Sequence, residues 1–254
     1  MSPTIRPDDD PTWRRQAPAE PETPVEEPEL PPFLEKVKAE EGVRPTVAYR
    51  GATSDPTFGY LIALALAIGL TPLIPDNTDL RYTLLWAITA LFGVLAWLLG
   101  NGTRIGQETP ENLGWGIVFG VMIGAPFLAF GGSTLTTAVQ FLFERMTTGA
   151  VLAYLIFVMP MAETLFFRGT LQANRPFWLV GLASTVWSVL VFFPVFWGEI
   201  GRYPAVAAVI GTALLMMNII YSYVCRRNGL AAAWLCQIIV NLVLVFLPFL
   251  SGIG

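Results

Sequence analysis

In this chain of 254 residues, hydrophobic side chains make up 54% and charged ones only 13%, about half the roughly 25% charged content of a soluble globular domain. That excludes a soluble enzyme or binding module. With a net charge of −4 and no histidine, the chain has no basic field for nucleic acid, so no nucleic-acid partner is expected.

Charge is unevenly spread: residues 1–56 sum to −5 and residues 57–254 to +1, with no lysine after Lys38. The first segment reads as an acidic, proline-rich cytoplasmic tail, largely disordered, because it has too little apolar surface to offset chain entropy. A short helix or docking element is expected near Pro32–Val37. No apolar h-region occurs there, so no cleavable signal peptide is expected. Cys225 and Cys236 fall in or beside apolar runs and read as small packing residues rather than a disulfide or thiolate site.

From residue 57 onward, apolar runs recur at about 57–74, 82–99, 113–130, 148–169, 176–197, 205–225 and 229–250. Each is near the ~20 residues that cross a hydrocarbon core as a helix. The runs are continuous rather than alternating, which argues against a β-barrel. The expected fold is all-α, a polytopic transmembrane bundle of about seven spans, with six or eight as the alternatives. Residues 133–146 mix Leu135, Val139, Phe141, Leu142 and Phe143 with polar side chains, and an interfacial amphipathic helix is expected there. Arginine and lysine in the short flanks favour a cytoplasmic amino terminus seven to three. The expected location is the plasma membrane, with lipid and a membrane-protein partner, engaged through the tail, as neighbours.

Ionisable or amide side chains inside such spans mark candidate sites. Glu163 and Arg168 close the fourth run. At α-helical geometry they lie roughly 140° apart, so they are not a same-face pair and should have different neighbours. Snorkelling of Arg168 from a helix end is the alternative. Gln237 and Asn241 in the last run are four apart and share a face, suited to interhelical hydrogen bonding. Gly116, Gly120 and Gly124 repeat at the small-residue spacing of close helix packing. The tryptophans, Trp86 and Trp187 among them, suit interfacial anchoring or packing.

Taken together, these stretches resemble the CPBP family of membrane proteins, the CAAX-type and bacteriocin-processing intramembrane endopeptidases. The resemblance covers about residues 113–250. The family's first motif, Glu-Glu-x-x-x-Arg followed by Gly, reads here as Glu163-Thr164-Leu165-Phe166-Phe167-Arg168-Gly169. Its second, Phe-x-x-x-His, falls on Phe192-Phe193-Pro194-Val195-Phe196, and its third, His-x-x-x-Asn, on Gln237-Ile238-Ile239-Val240-Asn241. The resemblance implies that Glu163 would activate a water and that Asn241 would steady an oxyanion. Gln237 and Phe196 (or Trp197, if the slot is shifted) stand where the histidines would be, and Thr164 replaces the second Glu, leaving Arg168 without that support.

Glutamine cannot exchange a proton near neutral pH, and a positioned acid–base group supplies typically 10²–10⁴-fold in rate. The expected function is therefore a non-catalytic scaffold, assembly factor or complex subunit with peptide hydrolysis lost or altered. The alternatives are an active endopeptidase using Glu163 with Asn241 and Gln237, and a small transporter. Zinc sites generally take three protein ligands, and Glu163 stands alone, so no metal or cofactor is expected.

Overall fold

The computed structural model describes residues 55–75, 77–98, 109–202 and 204–252, and every regular element among them is helical. Seven helices are long and apolar enough to cross a bilayer: α1 Pro56–Leu73, α2 Thr78–Leu98, α3 Pro110–Leu142, α4 Thr148–Ala173, α5 Phe177–Phe196, α6 Pro204–Asn228 and α7 Leu230–Ser251. The chain is a multi-pass helical membrane protein. The acidic tail expected at 1–56, all but its last two residues, and the short helix near residues 32–37 lie outside the described residues.

Local chemistry sets the boundaries. Asp55 caps α1 by accepting from the Thr57 backbone N–H at 2.9 Å, with Pro56 at the first helical position, where its missing donor does no harm. The backbone and hydroxyl of Thr57 hold the Asp55 carboxyl below its ordinary range. Thr109 with Pro110 opens α3, and Thr147 opens α4, in the same manner. Between α6 and α7 a single residue, Gly229 at φ 95°, turns the chain. That left-handed backbone is open to glycine at little steric cost.

The third run, expected to end near residue 130, has no break at Gly131-Gly132-Ser133. Instead of a separate interfacial helix, residues 133–142 continue α3, which runs unbroken for 33 residues. Two glycines weaken a helix by about 1 kcal/mol each relative to alanine, but lipid offers the backbone no alternative partner. Thr136 and Thr137 donate back to the Gly132 and Ser133 carbonyls. Further along, Gln140 donates to the Phe249 carbonyl at 2.8 Å, docking the extension on the end of α7.

Helix α4 occupies the middle of the bundle, packed against α2 on one side and α7 on another, while α6 packs on α5 and α7, and α3 runs along α7. The glycine stripe of α3 makes that last contact, as its spacing predicts. A Cβ at Gly116 would lie 2.4 Å from the Ala232 carbonyl oxygen, one at Gly120 2.7 Å from Ile239 Cβ, and one at Gly124 2.9 Å from Val243 Cγ1. Gly114, two residues from the stripe, faces open space. Overpacking a close contact costs typically 1–3 kcal/mol, whereas glycine to alanine on a free helix face gains up to about 1 kcal/mol. Gly116→Ala is therefore expected to lower the detergent melting temperature and Gly114→Ala to leave it unchanged or raise it. Equal effects of the two would show that α3 and α7 are not in close register.

Candidate functional site

Glu163 lies on α4 with only 2% of its surface exposed. Its Oε1 accepts from the indole N–H of Trp86 at 3.2 Å and of Trp187 at 3.3 Å, and its Oε2 accepts from Gln237 Nε2 at 2.6 Å. The donors come from α2, α5 and α7, one each. Gln237 is itself oriented by the Thr164 hydroxyl, which donates to its Oε1 at 3.1 Å. An indole N–H can only donate, so three of about four acceptor positions on the carboxylate are taken by protein.

Both tryptophans are fully buried, so for this pair packing holds and interfacial anchoring does not. Trp86 is held by Tyr82, Tyr154 and Phe192, with ring centroids 5.3, 5.6 and 6.2 Å away. Trp97, Trp115, Trp178 and Trp197 do face outward. Burial of Glu163 in an apolar run was legible, but nothing in the spacing joins positions 86 and 187 to it.

Arg168 belongs to a separate network and does not snorkel; it is completely buried. Its Nη2 donates to Asn218 Oδ1 at 2.8 Å, and Asn218 Nδ2 donates on to the Ser188 hydroxyl at 3.2 Å. The guanidinium lies over the rings of Phe167 and Tyr221, 5.8 and 5.3 Å from their centroids, a contact that favours a desolvated cation. Among the described residues no carboxylate comes within 4.0 Å of it. Glu163 and Arg168 thus have different neighbours, as expected. The rotation between them is not the α-helical one, however, because Thr164–Thr170 is wound as a π-helix.

A second π turn, Tyr154–Val158, accounts for Asn241. In that turn the Met159 N–H reaches back to the Tyr154 carbonyl. The same i→i+5 register would give the Leu155 carbonyl residue 160 as its partner, and Pro160 has no N–H. Asn241 Nδ2 fills the gap, donating to the Leu155 oxygen at 3.1 Å and also lying 3.8 Å from Met159 Sδ. An asparagine that the family resemblance would give an oxyanion to steady is here occupied with the backbone of α4.

A cavity of about 180 Å³ adjoins these groups. Glu163, Gln237 and Asn241 line it together with Phe196, Ser188 and Asn218. The remaining wall is almost wholly apolar, drawn from all five helices α3 to α7. The structure therefore brings four of the six anticipated residues to one space, with Phe196 stacked on Phe141 at 5.5 Å. Thr164 reaches it through Gln237, and Arg168 lies outside. Ser188 and Asn218 were missed, although the rule that picked out Gln237 applies equally to Asn218 in the run from Leu214 to Ile219. Besides Glu163, the lining holds one other ionisable side chain, the phenol of Tyr221. Among the described residues no three His, Cys, Asp or Glu side chains gather to hold a metal ion.

Comparison with protein-family models, with curated proteins and with solved structures finds no match to this chain.

If Asn241 serves the Leu155 carbonyl, Asn241→Leu leaves a buried acceptor unmet and should cost about 1–3 kcal/mol. Pro160→Ala returns an N–H to α4 and should recover a large part of that loss in the double variant. Thermal unfolding in detergent reads the coupling; strictly additive effects would mean that the two positions do not share that carbonyl.

Proposed function

We propose that this membrane protein is a non-catalytic relative of the CPBP intramembrane endopeptidases. It serves as a scaffold, assembly factor or subunit of a complex in the plasma membrane, with its amino terminus in the cytoplasm. The observation that carries the reading is the state of Glu163. Three N–H donors engage its carboxylate, and the cavity beside it has no imidazole to take a proton from an attacking water and return it to a leaving amine; its one other ionisable side chain is the Tyr221 phenol. Asn241, the natural oxyanion donor, is committed elsewhere. In this reading the acidic, proline-rich tail is the segment available to a partner.

One observation favours the enzymatic alternative: Glu163, Gln237 and Asn241 do line one cavity. The two readings separate on a direct assay. Purified protein in detergent, offered membrane-segment peptides, is expected to release no product above background, with wild type and Glu163→Gln indistinguishable. Cleavage by wild type that Glu163→Gln abolishes would establish the hydrolase instead. In parallel, retrieval of the tagged protein from its native membrane should bring a stoichiometric membrane partner; a lone monomer would count against the scaffold.

A further inference from the structure

A second cavity, of about 320 Å³, opens at the membrane face where α1, α3 and α5 end and α2 begins. Thr71, Asp79, Arg81, Glu144 and Arg145 line it, with Phe141 among its apolar walls. Its lining has only Leu142 in common with the Glu163 cavity, and it stands independently of the function proposed above.

Arg81 is the feature that needs explaining. It lies near the start of α2, at the end of a span, yet only 4% of it is exposed. Its Nη2 donates to the Val191 carbonyl at 2.8 Å and its Nη1 to the Thr71 hydroxyl at 3.3 Å. Both acceptors are neutral, and among the described residues no carboxylate lies within 4.0 Å. A guanidinium carries five N–H donors, and a buried cation with only neutral partners is poorly compensated unless an anion joins it. The first turn of α2, whose Thr78 and Asp79 also line the cavity, adds the partial positive charge of a helix start. Asp79 and Glu144 on the same wall would repel a bare anion, but they would attract a cation tethered to one. Opposite charges lining one cavity at the end of four membrane helices, with apolar side chains alongside, are complementary to a zwitterionic lipid head.

We propose that this cavity binds a phosphoethanolamine head, its phosphodiester against Arg81 and Arg145 and its primary ammonium against Asp79 and Glu144. Arginine suits the first role because its planar fork matches a phosphate. An ammonium suits the second because it donates hydrogen bonds to carboxylates, which a trimethylated choline cannot.

The test uses full-length protein stripped of lipid and titrated by native mass spectrometry. The ligands are phosphatidylethanolamine, phosphatidylglycerol, phosphatidylcholine and the water-soluble glycerophosphoethanolamine. Phosphatidylethanolamine is expected to bind about tenfold or more tightly than either other lipid, the scale of one charge-assisted contact. Arg145→Gln, an exposed position, should weaken it about tenfold. The double variant Asp79→Asn with Glu144→Gln should reverse the order in favour of phosphatidylglycerol. Arg81→Gln alone is a poor probe, since Arg81 also ties α1 to α5. Equal binding of the choline lipid, or retention unchanged in variants that melt like wild type, overturns the proposal. Comparable affinity for the soluble head upholds the chemistry and assigns it to a water-borne ligand; weak binding of that head assigns it to the bilayer.

Discussion

A carboxylate halfway along a membrane helix must be met by hydrogen-bond donors, and Glu163 meets this requirement with three side chains from three different helices. That fixes the arrangement of the bundle around it. Helix α4 must lie where α2, α5 and α7 can all reach one side chain, and it occupies that place. Hydrogen bonds to a charged group are worth about 1.5–3 kcal/mol each, but desolvating the charge offsets much of that. The contacts therefore act mainly on register: a helix shifted by one turn would leave an acid, or an indole N–H, without its partner. Trp86 and Trp187 combine both duties, since each fills a large volume with its ring while presenting one donor at its edge.

The same geometry restricts the chemistry. A hydrolytic glutamate needs an open lone pair, a water within reach and a second group to move the proton onward. Here the acceptor positions of Glu163 are largely filled, the neighbouring amides of Gln237 and Asn241 do not titrate, and the adjoining space is walled by phenylalanine and aliphatic side chains. The π turn before Pro160 adds a purely structural reason for one of these residues. Winding α4 one residue wider leaves the Leu155 carbonyl without a donor in its own helix, and Asn241 supplies one from across the bundle. The backbone alone thus accounts for an amide at this position.

Much of the fold was legible in the residues. The seven spans follow from continuous apolar runs, and the Gly116–Gly120–Gly124 stripe announces the α3–α7 contact because only a missing side chain permits it. What was not legible depends on cooperation between distant segments. The extension of α3 through Gly131 and Gly132 contradicts local propensity; it holds because the backbone has nowhere else to bond and because Gln140 finds the end of α7. Trp86 and Trp187 were left between anchoring and packing because an indole suits a headgroup layer and a buried acid equally well, and position in a span does not decide between them. The π turns had a faint signal, since two of them, Tyr154–Val158 and Leu242–Phe246, stand just ahead of Pro160 and Pro248.

Arg81 and Arg168 pose one physical problem at two depths. Both are buried guanidiniums without a nearby acid among the described residues, and both rest against a tyrosine ring. Arg168, deep in the bundle, is closed in: Asn218 takes one N–H, two aromatic faces cover the cation, and its Nε and Nη1 have no acceptor among the described residues. Arg81, at the end of the helices, borders an open cavity that also contains acids and a second arginine. The difference lies in access rather than in side-chain chemistry. A cation sealed within the protein can only be stabilised by the fold, whereas one beside a cavity at the membrane surface can recruit its counter-charge from outside. On that argument Arg168 belongs to the architecture of α4 and α6, while Arg81 belongs to the boundary between protein and lipid.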